Sequence, residues 1–313
     1  MHVLVTGGAG FIGSHLVEAL VARGDRVTVL DNFDPYYDPA RKRANVAGWR
    51  GGAALIEGDL REPAVLAHAL QGVDAVIHLA ARAGVRASLA EPSLYVDVNV
   101  TGTQVLLDGL RTAGVDRLVY ASSSSVYGAR SQGPFREDDP VLAPVSPYAA
   151  TKLAGEHLCQ AASHSHGLRV SAMRLFTVYG PRQRPEMAIH LFARRALGGL
   201  PVEQFGDGSS RRDYTFVGDI VAGLMAALDR PRPFRVYNLG NGSPVTLGQL
   251  LAGVERVFGA RIERRPLPDQ PGDVPLTWAS IDRASEELGY APVVPLGEGL
   301  ERFKAWILGN GLD

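Results

Sequence analysis

Residues 146–152 read SPYAATK and place a tyrosine, Tyr148, four positions before a lysine, Lys152. If this stretch is helical, the two side chains lie on one face about one turn apart. A cation at that distance stabilises a phenolate, so we expect the pKa of the Tyr148 phenol to fall. A phenol that titrates closer to neutral pH is able to take a proton from a substrate hydroxyl. A lone pair at this spacing is also common on solvated helix surfaces, so other motifs must decide between the two interpretations.

A run of glycines near the N-terminus has the spacing of a dinucleotide-binding turn. It follows a short apolar strand pattern and leads into a helical pattern at residues 14–23. The first glycine allows a tight turn, the second lets the backbone approach a pyrophosphate, and the third lets helix and strand pack closely. The start of the helix then offers free N–H groups and the positive end of its dipole to the phosphates. The sequence therefore predicts a cofactor-binding turn at Gly7, Gly10 and Gly13.

An acidic residue closes the next predicted strand, which covers residues 26–30. This residue, Asp31, lies 18 positions after Gly13. A carboxylate there accepts hydrogen bonds from the adenosine ribose and repels a 2′-phosphate. We therefore expect NAD, and not NADP, as the cofactor.

Strand and helix patterns alternate through the N-terminal half, with further strand patterns at residues 53–60, 74–80 and 117–121. This alternation with short links predicts an α/β protein built on a Rossmann-type doubly wound parallel sheet. We expect the NAD-binding domain at residues 1–178. A smaller α/β substrate domain is expected at residues 179–313, with some elements returning to the first domain.

The overall composition is that of an ordinary globular enzyme. The 313 residues are 46% hydrophobic with a net charge of -1, which gives no electrostatic case for nucleic acid or an anionic membrane. No apolar run approaches the roughly 18 residues that span a bilayer. The single cysteine, Cys159, excludes an intrachain disulfide and a cysteine-based metal site, and we expect it in the core, as we do His78. A cytoplasmic enzyme without a metal is expected.

In their order and spacing these motifs resemble the extended short-chain dehydrogenases/reductases that act on nucleotide sugars. The resemblance covers essentially the whole chain and rests on residues 6–13 (TGGAGFIG), 59–60 (DL), 78–81 (HLAA), 122–128 (SSSSVYG), 146–152 and 211–214 (RRDY). It implies that Tyr148 and Lys152 are catalytic, with Ser123 as the third member of a triad. Besides the residues already named, it implies NAD contacts from Phe11, Ile12, Asn32, Asp59, Leu60, Leu79, Ala80, Ala81 and Asn99, the last of which is expected to begin a helix.

The reaction that this resemblance implies is epimerisation at C4 of a UDP-sugar through a transient 4-keto sugar. Tyr148 would act as the base, Lys152 would lower its pKa, and Ser123 would bind the C4 oxygen. Relatives that dehydrate hexoses carry Asp-Glu at the positions of Ser124 and Ser125, and uronate decarboxylases carry a glutamate at the second. Since both positions are serines here, epimerisation is favoured over dehydration and decarboxylation.

The sugar is expected to be a uronate. An arginine fork can bind both oxygens of a carboxylate, so Arg184 with Ser124 and Ser125 is a candidate site for a C6 carboxylate. Residues 34–39, 82–86 and 176–185 resemble UDP-glucuronate 4-epimerases, which implies conversion of UDP-glucuronate to UDP-galacturonate. Further substrate contacts are implied for Arg86, Thr177, Phe205, Arg212 and Asp273.

Three alternatives stay open at this point. The chain is also compatible with a 4-epimerase of UDP-glucose or UDP-N-acetylglucosamine, with a UDP-glucuronate decarboxylase, and with a sensor that keeps the fold without turnover. A homodimer is expected, packed through the helix after Asn99 and the helix that carries Tyr148.

Overall fold

The computed structural model of the chain describes residues 1–49, 51–270 and 272–310. Its centre is one sheet in which all neighbouring strands pair in parallel. From one edge to the other the strands are β11 (Arg235–Leu239), β6 (Arg169–Leu175), β5 (Arg117–Ser123), β4 (Ala75–His78), β1 (His2–Thr6), β2 (Arg26–Asp31) and β3 (Ala53–Glu57). The order reverses after β1, as in a doubly wound fold.

Helices connect these strands and cover both faces of the sheet. In chain order they are α1 (Phe11–Ala22), α2 (Pro39–Ala47), α3 (Pro63–Ala69), α4 (Val85–Ala90), α5 (Pro92–Val96), α6 (Gly102–Ala113), α7 (Pro147–His166), α8 (Ala188–Leu197), α9 (Val217–Asp229), α10 (Leu247–Phe258), α11 (Asp282–Leu288) and α12 (Leu296–Asn310). None of them, within the described ranges, is both long and apolar enough to cross a membrane.

The side chains of β1 show how the two faces are built. Val3 and Val5 point into the hydrophobic core formed with α1 and α9, whereas Leu4 points into the core formed with α3, α6 and α7. This alternation follows from the two-residue period of a strand whose two faces are both buried. The second core contains the fully buried Cys159, and His78 is buried too, which confirms the core positions predicted for both.

The prediction that Asn99 begins a helix is wrong. Asn99 lies inside a π-helical turn, Asp97–Thr101, that joins α5 to α6 in one continuous helical segment. Pro92 stands at the start of that segment, where proline is favoured because the first helical N–H needs no partner. The Asn99 side chain is buried.

The C-terminal half also contains three small strand pairs. The pairs are β7 (Thr177–Tyr179) with β10 (Tyr214–Phe216), β8 (Val202–Phe205) with β13 (Arg264–Leu267), and β9 (Arg211–Arg212) with β12 (Val245–Thr246). Between them β11 returns to the edge of the main sheet beside β6. The division of the chain at residue 178 stays a prediction.

Candidate active site

The carboxyl ends of the parallel strands open onto a cavity of about 410 Å³. Ligands of doubly wound folds bind at this edge, because the loops that leave the strands meet there. The residues that were predicted from the sequence and line this cavity are Gly7, Gly10, Phe11, Ile12, Gly13, Asp31, Asn32, Asp59, Leu60, Leu79, Ala80, Ala81, Ser123, Ser124, Ser125, Tyr148, Lys152, Thr177 and Arg184.

In the glycine turn between β1 and α1, backbone segments lie so close together that there is no room for a side chain at Gly7 or Gly13. Gly7 has a φ of +70°, and a Cβ there would lie 2.7 Å from the backbone nitrogen of Ala80. A Cβ on Gly13 would lie 2.3 Å from the carbonyl oxygen of Gly7. Helix α1 starts after Gly10 with no side-chain cap from the described residues, so the N–H groups of its first turn are available to a phosphate. The turn therefore fits the pyrophosphate of a dinucleotide.

Asp31 ends β2 with its carboxylate buried and already organised. It accepts hydrogen bonds from the backbone N–H groups of Ala9 (3.1 Å) and Phe33 (2.9 Å), and Lys42 Nζ lies 3.6 Å away. An ionised carboxylate has about four acceptor positions, so capacity remains for ribose hydroxyls. Lys42 was not predicted as a site residue, because the helix pattern of α2 gives no sign that a surface lysine folds back onto β2.

Helix α7 places the tyrosine and the lysine one turn apart. It begins at Pro147, and the Ser146 hydroxyl caps it by accepting the N–H of Ala149 at 3.1 Å. Tyr148 therefore lies in the first turn, and Lys152 follows one turn later. Both side chains line the cavity together with Ser123, the last residue of β5.

The protonation of this pair differs from the expectation. Burial raises the pKa of Tyr148, while a hydrogen bond with Ser123 and the charge of Arg184 oppose the rise. Burial also lowers the pKa of Lys152 to about 8. The Lys152 ammonium donates to the carbonyl oxygen of Ala121 at 2.7 Å, so it is directed at the end of β5. The predicted fall of the Tyr148 pKa is therefore wrong for the protein without its cofactor.

A run of hydroxyl groups and one arginine form one wall of the cavity. The Ser123 hydroxyl donates to the Ser125 hydroxyl at 3.0 Å and accepts the Ser125 N–H at 3.1 Å. Arg184 reaches the same cavity from the loop after β7, and its Nε lies 2.8 Å from Glu186 Oε1. A cation and small hydroxyl donors at one wall suit a carboxylate ligand.

Four predicted substrate residues gather beside the cavity. Arg86 Nη2 donates to Asp273 at 2.9 Å, and its guanidinium carbon lies 4.8 Å from the centroid of the Phe205 ring. Burial lowers the pKa of Arg212, with Asp273 raising it and Arg86 lowering it further through their charges. Arg86 follows Val85, which lines the cavity, so this group adjoins it without lining it.

Asn99 lies behind the cavity wall. Its amide accepts the N–H of Arg82 at 2.8 Å and donates to the Arg82 carbonyl at 3.0 Å and to Thr151 at 3.0 Å. It thus shapes the segment after β4 without lining the cavity itself. Arg82 in turn donates to Asp34 at 2.8 Å, across the cavity mouth.

Several cavity-lining residues were missed by residue-level reasoning, among them Tyr36, Tyr37 and Arg82. They lie in the loops after β2 and β4, where no periodic pattern predicts side-chain direction. The only available signal was that residues 34–39 and 82–86 belong to segments that resemble a known family.

Residues 3–240 match the model of the NAD dependent epimerase/dehydratase family. The chain belongs to this family. Over 98% of its length it is 43% identical to UDP-glucuronate 4-epimerase 3 of Arabidopsis thaliana, of which 76% is covered. It is 41% identical to UDP-glucuronate 4-epimerase of Thermodesulfobacterium geofontis, over 97% of this chain and 95% of that relative.

Solved structures of this epimerase/dehydratase family have the same fold. UDP-glucuronic acid 4-epimerase from Bacillus cereus, crystallised with UDP-glucuronic acid and NAD, matches with a TM-score of 0.94 and 36% identity, covering 99% of this chain and all of that one. UDP-glucose 4-epimerase from Thermotoga maritima, crystallised with UDP-glucose, matches with a TM-score of 0.92 and 32% identity, covering 99% of each chain. The predicted family and fold class are confirmed.

Proposed function

We propose that the protein is a UDP-glucuronate 4-epimerase, which interconverts UDP-glucuronate and UDP-galacturonate with NAD held in the cavity. The observation that carries the proposal is that Arg184, Ser124 and Ser125 share one cavity with Tyr148 and Lys152. A carboxylate-binding wall thus faces a proton-transfer pair. The similarity to curated UDP-glucuronate 4-epimerases over nearly the whole chain supports the same substrate.

The residues present fit NAD. Gly7, Gly10 and Gly13 would hold its pyrophosphate, Asp31 its adenosine ribose, and Asp59 with Leu60 its adenine. When bound, NAD would supply the hydride acceptor for oxidation at sugar C4 and the hydride donor for reduction of the ketone on its other face. The protein's own contribution is to bind, orient and move protons around that carbon.

Three residues that line the cavity carry out or support proton transfer. Tyr148 takes the proton from the C4 hydroxyl and returns it when the sugar is reduced again. Ser123 donates a hydrogen bond to the C4 oxygen while it has ketone character. Lys152 lies one helical turn away, and in the NAD-loaded protein its positive charge would stabilise the Tyr148 phenolate that forms during proton transfer.

None of the described residues that line the cavity offers an unpaired carboxylate for dehydration or decarboxylation chemistry. Among the described residues that line it, the acidic side chains are Asp31, Asp34 and Asp59. Each already has a cationic partner, at 3.6 Å in Lys42, at 2.8 Å in Arg82 and at 2.7 Å in Arg61, respectively. Hydroxyl groups alone stand at the Ser124 and Ser125 positions, so the 4-keto sugar meets no second base.

The uridine diphosphate half of the substrate belongs beside the cavity. We assign the diphosphate to Arg212 with Arg86, the uracil to the Phe205 ring, and the uridine ribose to Asp273. Thr177, at the start of β7, lines the cavity, and we assign it a contact with the substrate. Arg86 and Asp273 form an ion pair with 2.9 Å between nitrogen and oxygen. Both side chains are partly exposed, so a bound ligand can rearrange the pair.

We also propose that the chain divides into an NAD-binding domain, residues 1–178, and a substrate domain, residues 179–313. We further propose that the protein is a homodimer and lies in the cytoplasm. Val96 at the end of α5 is 50% exposed, which gives a second copy one apolar side chain to pack against beside α6. Sedimentation equilibrium of the purified protein tests the dimer.

The decisive experiment is proton NMR of the purified protein with UDP-glucuronate and without added NAD. Formation of UDP-galacturonate is expected, because the cofactor is retained. Release of a UDP-pentose would instead reveal decarboxylation, and turnover of UDP-glucose alone would refute the uronate assignment.

The Arg184 side chain provides the matched test of substrate choice. Arg184→Ala removes the partner of a partly buried carboxylate, and we expect kcat/KM for UDP-glucuronate to fall about 100-fold. Arg184→Lys keeps the positive charge without the planar fork, so its kcat/KM for UDP-glucuronate should lie between those of wild type and Arg184→Ala. An unchanged kcat/KM in Arg184→Ala would contradict the carboxylate site.

A further inference from the structure

A loop from the cofactor half of the cavity reaches the arginine at the sugar wall. This loop, residues 33–38, is called the strap here. It leaves β2 beside Asp31, and Asp34, Tyr36 and Tyr37 line the cavity on their way across it. The strap therefore touches both the cofactor edge and the loop that carries Arg184.

Tyr36 is held firmly within the strap. Its backbone N–H donates to Asp34 Oδ1 at 2.9 Å, and the same oxygen accepts Arg82 Nη1 at 2.8 Å. At the other end of the side chain, a Cβ added to Gly84 would lie 2.8 Å from the Tyr36 hydroxyl, so the ring ends against a position where only glycine fits. Asp34 thus holds the backbone of Tyr36, and the missing side chain at Gly84 leaves room for the tip of its ring.

Two guanidinium groups lie against this ring. The guanidinium carbon of Arg82 is 5.3 Å from the ring centroid of Tyr36, and that of Arg184 is 5.7 Å away. Both distances are within the range of a cation–π contact.

The two arginines differ in how they are held. Arg82 is hydrogen-bonded to Asp34. The buried Nε of Arg184 makes no hydrogen bond to the described part of the chain, although Glu186 Oε1 is 2.8 Å away. The direction of the Arg184 fork is therefore set by the Glu186 charge and by the Tyr36 ring, and not by a hydrogen-bonded partner.

We infer that Tyr36 is a positioning residue for substrate specificity. This inference rests on the proposed function. The Tyr36 ring holds the Arg184 guanidinium at the cavity wall, and the N–H edge of that guanidinium stays free for the carboxylate of a uronic acid. A pre-oriented fork loses less side-chain freedom when the carboxylate binds, so the ring strengthens binding of UDP-glucuronate and leaves UDP-glucose unaffected. The preference for a charged sugar thus depends on a loop that follows a cofactor-binding strand.

The test compares the dissociation constants of UDP-glucuronate and UDP-glucose by calorimetry on NAD-loaded protein. Their ratio is the readout, because a general loss of structure weakens both sugars alike. Tyr36→Leu removes the ring and should lower the preference for UDP-glucuronate about tenfold. Tyr36→Phe is the conservative control. It keeps the ring, so it should retain the wild-type ratio within about twofold.

Arg184→Ala distinguishes a failure of the Tyr36 role from a failure of the carboxylate site in the proposed function. If Arg184→Ala abolishes the preference but Tyr36→Leu keeps it, the role of Tyr36 is overturned and the proposed function stands. If the wild-type protein has no preference, the carboxylate site itself fails. Equal losses in Tyr36→Phe and Tyr36→Leu also overturn the inference, because the hydroxyl would then be responsible. Should Tyr36→Leu lose NAD or melt early, Tyr36→Met, with a similar volume, replaces it under the same criteria.

Discussion

Replacing Lys152 by methionine should stabilise the cofactor-free protein in a pH-dependent way. Lys152 is 4% exposed, and burial lowers its pKa from 10.5 to about 8. Each tenfold change in proton affinity is worth about 1.4 kcal/mol, so holding the charged amine in the fold costs about 3 kcal/mol at neutral pH. Methionine has a similar length and carries no charge, so Lys152→Met removes this cost.

The sign follows from proton binding in the two states. The folded pKa lies below the unfolded one, so between about pH 8 and pH 10.5 the unfolded chain binds more protons than the folded protein. Wild-type stability relative to Lys152→Met therefore rises with pH in that window. Between pH 7 and pH 9.5 the expected rise is about 2 kcal/mol, since the other groups titrate alike in both proteins.

Urea unfolding of both proteins at pH 7 and pH 9.5, followed by tryptophan fluorescence, measures this difference. Lys304→Met is the matched control for the lost hydrogen bond. The amines of Lys152 and Lys304 each donate to a backbone carbonyl at 2.7 Å, but Lys304 is only partly buried. A free-energy difference between wild type and Lys152→Met that is the same at both pH values would refute the reasoning, because it would show that Lys152 carries no unfavourable charge.

Three further outcomes are expected. Glu156→Gln breaks a pair with Arg174 in which both side chains are 4% exposed, so it should cost about 3–5 kcal/mol in urea unfolding, against about 0.5 kcal/mol or less for Glu298→Gln in an exposed helical pair. Asp31→Asn should weaken NAD binding about tenfold and narrow the preference over NADP, as measured by fluorescence titration. The ultraviolet difference titration of cofactor-free wild type against Tyr148→Phe should place the Tyr148 pKa above 10, and a midpoint below 10 would contradict the effect of burial.

Local patterns in the sequence predicted the parallel sheet, the glycine turn and the tyrosine–lysine pair, whereas Ser123 and most of the contact residues came from the resemblance to a known family. The glycine turn is defined by three glycines at three-residue intervals after a strand, and the pair on α7 by its four-residue interval. The strap was beyond such reasoning. Residues 33–38 have no periodicity, and the contact of Tyr36 with Arg184 joins positions far apart in the chain. Its direction is decided by Asp34 and Arg82, which only the folded sheet brings together.

The tyrosine–lysine pair shows where spacing stops being informative. The four-residue interval correctly puts both side chains on one face of α7, but the charge of each depends on what that face is buried against. The neighbours of Lys152 include the Ala121 carbonyl and the Tyr120 ring at 5.2 Å, and burial there lowers the pKa of the amine. With a pKa of about 8, Lys152 is still mostly protonated at pH 7, so its charge remains available to a phenolate. Above pH 8 that charge is lost. The pH range in which the pair can transfer a proton is therefore set by burial in the assembled fold and not by the motif.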